Sequence, residues 1–122
     1  MATLPKDPAA FQAALDQFTG SACWYQHPLV PSITYTDGVQ YFAEQAGAYW
    51  LLDIMATECF RLLAAQPFLT VTAISEAQQC QINVTDGNGL ELLARHIPYT
   101  DLIPGSWRFF VTDHVMLLPS EY

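Results

Sequence analysis

Cys23 and His27 stand four residues apart in "TGSACWYQHPLVPSITYTDG". A thiol becomes a strong nucleophile when a neighbouring base or cation stabilises its thiolate, and an imidazole can do both. Two carboxylates are placed to orient such a base: Asp37 at the end of the same stretch, and Asp53 inside the apolar run "AYWLLDIMATECFRLLAA". One functional expectation is therefore a small hydrolase or transferase using Cys23 and His27 with Asp53 or Asp37. Residue types suited to a divalent metal also occur, namely His27, His96 and His114 with Asp37, Asp53 and Asp101. No two of these histidines fall at a helical ligand spacing such as i, i+4, and "DGNG" at 86–89 joins two strand patterns instead of opening a helix around a phosphate. The expectation is no metal and no cofactor.

Asp53 is the acid whose surroundings constrain it most. A carboxylate on so apolar a helix must be paired, hydrogen-bonded or neutralised, because an isolated buried charge is very costly. The structural expectation is that it accepts a hydrogen bond from a backbone N–H or a tyrosine hydroxyl of the 19–36 stretch and pins that stretch onto the helix. The functional alternative is an acid of raised pKa in a pocket. Around it, Trp24, Tyr25, Tyr35, Tyr41, Phe42, Tyr49 and Trp50 form an aromatic group that serves as core, as a binding surface, or as both. The residues expected to meet a partner are Trp24, Tyr25, His27, Tyr35 and Asp37.

The elements that position these residues follow from periodicity. Asp7 and Pro8 read as a cap and first-turn proline before a short amphipathic helix burying Phe11, Ala14, Leu15 and Phe18. Prolines 28 and 31 make the following ~20 residues a packed loop rather than a helix. Thr36 or Asp37 caps the next helix, whose apolar positions Val39, Phe42, Ala43 and Ala46 precede Gly47 and resume at Tyr49, Leu52, Met55, Cys59 and Leu62. Unbroken from 37 to 65 it would be ~44 Å long at ~1.5 Å per residue, so Gly47 is expected to break it. On this helix Glu58 is expected to pair with Arg61.

Beyond Pro67 the period falls to two. "FLTVTAISE", "QCQINVT" and "LELLARHI" read as strands, and "WRFFVTDHVMLLP" as two more around a turn at Asp113 and His114. The expected fold is a single α+β domain over 1–122. N-terminal helices pack on one face of a mostly antiparallel sheet of about five strands, a β-meander plus a C-terminal hairpin.

Composition narrows the function classes. Only 13% of residues are charged against 52% hydrophobic, where roughly 25% charged is usual. So lean a surface favours a partner interface or a homodimer. Twelve acids against Lys6, Arg61, Arg95 and Arg108 give a net charge of −8, which argues against direct nucleic-acid binding. No apolar run reaches the ~20 residues needed to span a bilayer, no secretory signal opens the chain, and three unpaired cysteines suit a reducing compartment. A cytoplasmic protein without membrane contact is expected.

Several segments together, "FTGS", "YQHPL", "YTDGV", "AGAYWLLD", "IPYTD" and the ending "LLPSEY", resemble a family of small uncharacterised bacterial and mobile-element proteins, a domain of unknown function. The resemblance spans about residues 18–122 and implies a shared fold and a link to plasmids or phages. With the acidity, it gives the lead expectation: a non-enzymatic binding protein acting through an acidic, aromatic surface on a protein or ribonucleoprotein with a basic surface. Its sharpest form is an anti-defence, anti-CRISPR-like inhibitor.

Overall fold

A computed structural model describes residues 8–19, 24–86, 88–100 and 102–122. Cys23, Asp101 and the Asp7 cap lie outside the described residues. Helix α1 (Pro8–Leu15) begins on its proline and buries Phe11 and Leu15. Thr36 caps α2 (Asp37–Ala46), its hydroxyl accepting from the Val39 N–H. Gly47 ends that helix at φ 61°, ψ 38°, a left-handed conformation available to glycine without steric cost. The chain then restarts as α3 (Tyr49–Leu62), which buries Leu51, Leu52, Met55, Ala56 and Cys59, while Tyr49 points out and donates to Glu44.

The sheet departs from the expectation in three ways. Among the described residues it has seven strands, not five, because the 19–36 stretch supplies two: β1 (Trp24–Gln26) and β2 (Thr34–Thr36), paired antiparallel with Tyr25 opposite Tyr35. Three residues per strand are too few for an alternation to show, and Pro28 and Pro31 sit in the connection, closed by His27 N–H to the Ile33 carbonyl. Second, since β1 and β2 lie between α1 and α2, the helices do not all precede the sheet.

Third, the meander and the C-terminal hairpin are both present, but the hairpin does not continue from the meander's last strand. β3 (Phe68–Glu76), β4 (Gln79–Asp86) and β5 (Glu91–Ile97) form the meander, and β6 (Gly105–Thr112) returns past β5 and β4 to pair with β3. β7 (Val115–Leu117) then fills the gap between β6 and β2, giving the order β1-β2-β7-β6-β3-β4-β5, antiparallel except at β2–β7. The returning segment is held at the sheet's end: Thr100 N–H donates to the Gln78 carbonyl, Ser75 to Leu102, and the Trp107 indole to Ile103.

Alternation decides which face is covered. Leu69, Val71 and Ala73 of β3, Ile82 and Val84 of β4, and Trp107, Phe109 and Val111 of β6 point into a core shared with the helices. Phe42 sits at its centre, edge-on to Phe109 at 5.0 Å, with Phe11 stacked on it at 5.6 Å. The opposite face carries Thr70, Thr72, Gln81 and Asn83, all half-buried, and among the described residues no α-helix packs on it, as one face of an antiparallel sheet allows.

Candidate functional site

The β1–β2 hairpin and α3 bring the sequence-selected residues together. His27 directly follows β1 and is only 1% exposed. Its Nδ1 accepts from the backbone N–H groups of Leu29 at 3.1 Å and Val30 at 3.2 Å, so the ring proton resides on Nε2. That nitrogen donates to Asp53 Oδ1 at 2.9 Å. The expected pinning of the hairpin onto α3 is thus present, with an imidazole as the donor where a backbone amide or tyrosine was expected. Asp53 is not sealed in: its side chain is 47% exposed. Burial, and then the Asp53 charge, push the Tyr35 hydroxyl above its ordinary pKa, and the Tyr35 ring stacks on Tyr25 at 5.6 Å.

Chemically, this imidazole has both nitrogens committed. To act as a base, His27 would have to release two amide donors or surrender its bond to Asp53. Cys23, the nucleophile of the enzymatic expectation, falls outside the described residues. The other histidines are apart from this site: His96 is exposed on β5, and His114 lies in the β6–β7 turn with its ring 6.3 Å from Phe60. Among the described residues, no three metal-ligand side chains come together. Cys59 is buried, and its thiol is pushed up to about 12 by desolvation and then by the Glu58 charge, which keeps it protonated and unreactive.

A second cluster lies at the free end of the hairpin. The Glu121 carboxylate, from the final turn (Pro119–Glu121), accepts from the Thr36 hydroxyl at 2.6 Å, the Leu118 N–H at 3.0 Å and the Gly38 N–H at 3.3 Å. A carboxylate is thereby held at the N-terminus of α2, where the helix dipole and unpaired amides favour negative charge. Gly38 makes the approach possible: a Cβ there would stand 2.6 Å from both Glu121 Oε1 and Leu118 Cδ1. Beside this carboxylate, Trp24, Thr36, Asp113, Val115 and Leu117 line a shallow pocket of about 220 Å³. Trp24 is 64% exposed above it.

Of the five residues expected to meet a partner, Trp24 is on the surface, while Tyr25 and Asp37 are half-buried. His27 and Tyr35 are buried behind them and hold the hairpin. Asp113 and Glu121 were not selected from the sequence. The signal for Glu121 was there, since "TDGV" and "PSEY" are the two segments that meet; nothing local marked Asp113 as more than a turn residue.

The profile of a family of unknown function, DUF6876, matches residues 9–122. The chain belongs to this family. The DUF6876 match starts within α1, nine residues before the resemblance seen in the sequence, so the first helix is part of the common unit. Segments that carried that resemblance meet in pairs in this DUF6876 protein: "YQHPL" with "AYWLLD" through His27 and Asp53, and "YTDGV" with "LLPSEY" through Thr36, Gly38 and Glu121. No solved structure matches the chain. Among the described residues, no helix is long and apolar enough to cross a membrane.

Proposed function

We infer that this DUF6876 protein is a non-enzymatic binding protein whose contact surface is the Trp24 end of the sheet. The observation that carries this is Trp24, an exposed indole on a hydrogen-bonded strand, standing over a pocket that also contains the Asp113 and Glu121 carboxylates. A tryptophan held by paired backbone loses little entropy on binding, and tryptophans dominate binding energy at many interfaces. An arginine or lysine entering the pocket would meet the face of the indole and a carboxylate together, each favourable to a cation. The net charge of −8 adds long-range attraction for a basic partner. The partner class is therefore a protein or ribonucleoprotein with a basic surface. In its sharpest form, supported by the resemblance to mobile-element proteins, the protein occupies the basic nucleic-acid channel of a defence complex, as an anti-CRISPR inhibitor does.

The test is capture from bacterial lysate with the tagged protein, under a salt titration, in parallel with Trp24→Ala and Asp113→Lys. The expected result is a stoichiometric basic partner recovered by the parent protein, released as salt rises, and lost with either substitution. The recovered partner should then lose nucleic-acid binding when the protein is added. Recovery that is indifferent to Trp24 and Asp113, or recovery of the protein alone, would overturn this reading and favour the enzymatic or homodimeric one.

A further inference from the structure

The sheet contains a notch that none of the described residues fills. β6 pairs with β3 along its whole length, from Gly105 opposite Ser75 to Thr112 opposite Phe68. On its other side it pairs with β7 only at Phe110, Val111 and Thr112. β7 stops there because Leu118 is followed by Pro119, which has no N–H to give a ladder and instead opens the final turn.

Register shows which backbone groups the notch exposes. Asp113 and His114, at φ 52° and 60°, form a two-residue hairpin turn of the primed type, so Thr112 and Val115 exchange both hydrogen bonds. Counting back by twos, the N–H and C=O groups of Arg108 and Ser106 point toward the side where β7 would continue, and those of Trp107 and Phe109 toward β3. Both Ser106 and Arg108 are exposed, and among the described residues neither has a hydrogen-bond partner on that side. Four consecutive residues, Ser106 to Phe109, line one pocket of about 230 Å³ with α1 and the final turn.

Two further features indicate what fits. On the core side the pocket reaches the edges of Leu15 and Trp107 above the buried Phe42 ring, while Gln12 and Asp16 of α1 and Ser120 of the final turn form its polar rim. On the open face, Arg108 lies across from Thr72. Arg61 and Arg95 share Glu58, whereas Arg108 has no carboxylate partner among the described residues.

We propose that the notch binds an extended peptide segment of a partner protein, which adds a short strand in line with β7, antiparallel to β6. Its backbone pairs with Arg108 and Ser106. Side-chain alternation then sets its sequence in the N-to-C direction: an acidic residue opposite Arg108 on the open face, an apolar residue opposite Trp107 entering the pocket, and a small or polar residue opposite Ser106. This surface is distinct from the Trp24 end and takes the opposite charge.

The probe is an N-acetylated heptapeptide that begins Glu-Leu-Ser and carries fluorescein at its C-terminus, compared with the Lys-Leu-Ser version. Expected are binding at least about fivefold tighter for the Glu peptide, reversal of that preference in Arg108→Glu, and loss of binding when the peptide backbone nitrogen paired with Arg108 is N-methylated. By amide hydrogen exchange, the Ser106 and Arg108 N–H groups should exchange rapidly in the free protein and become protected with saturating peptide. Arg108 is exposed, so its substitution leaves the core intact, and Trp24→Ala should bind the peptide unchanged. Equal affinity for the two peptides, absence of binding at about 1 mM, or protection at β5 with none at Ser106 and Arg108 would overturn the proposal. So would concentration-dependent protection of these two amides without peptide, which would give the notch to a second copy of the chain.

Discussion

His27 is the residue on which the hairpin depends. A buried imidazole with three hydrogen bonds is costly to remove, since truncation leaves a cavity and orphans two amide donors. His27→Ala is expected to lower stability by about 3 kcal/mol in urea unfolding. Asp53→Asn keeps an acceptor at a half-exposed site and should cost under about 1 kcal/mol. Equal losses from the two substitutions would show that the bond to Asp53, not the ring's burial, holds the hairpin. Gly38 gives the opposite of the usual helix rule. Glycine to alanine inside a helix ordinarily stabilises by roughly 0.5–1 kcal/mol. Here the added methyl collides with Glu121 and Leu118, so Gly38→Ala should lower the urea midpoint. A raised midpoint would mean that the final turn moves aside at no cost.

At the scale of elements, the turn between β3 and β4 uses residues that fit it poorly. Ala77 and Gln78 make this turn at φ 53° and 64°, a conformation that asparagine and glycine adopt far more easily. The double substitution Ala77→Asn with Gln78→Gly should raise stability by about 1 kcal/mol, because the Gln78 contact with Thr100 is made by the main chain and survives. A melting temperature unchanged or lowered in calorimetry would refute this. The same turn shows what the sequence makes legible. β3 and β4 could be read to within a residue from the alternation in "FLTVTAISE" and "QCQINVT", although their turn has no glycine. Long strands carry a periodicity, and α2 carries a cap at Thr36 and a stop at Gly47 that separates it from α3. β1 and β2 carry neither, since three residues show no period. The return of β6 to β3 is set by contacts between Thr100, Leu102 and Ile103 and the sheet end, and Ser75 and Leu102 are far apart in the chain. The His27 and Asp53 pair was half legible: the need of Asp53 for a donor followed from its apolar helix, but the donor's identity required the hairpin to fold.

At the scale of the whole molecule, four ionisable groups among the described residues are shifted in one direction. Cys59 is pushed up to about 12 from 9.0 by desolvation and the Glu58 charge, Tyr49 to about 12 by desolvation and its bond to Glu44, and Cys80 and Tyr35 upward chiefly by burial. Each raised group keeps in the native state a proton that the unfolded chain has already lost, so the native state binds more protons and stability must fall as pH rises. The sign fixes the window. Below the unfolded thiol value near 9 the contribution of Cys59 is fully present, and it diminishes between about 9 and 12 by up to ~1.4 kcal/mol per pH unit. Urea midpoints measured under reducing conditions should therefore decline steadily above about pH 9. Cys59→Ala, though less stable at pH 7 because of the cavity it leaves, should show a shallower decline than the parent protein. Parallel pH profiles would mean that the Cys59 thiolate is accommodated in the folded core, and the decline would then have to come from the tyrosines and Cys80.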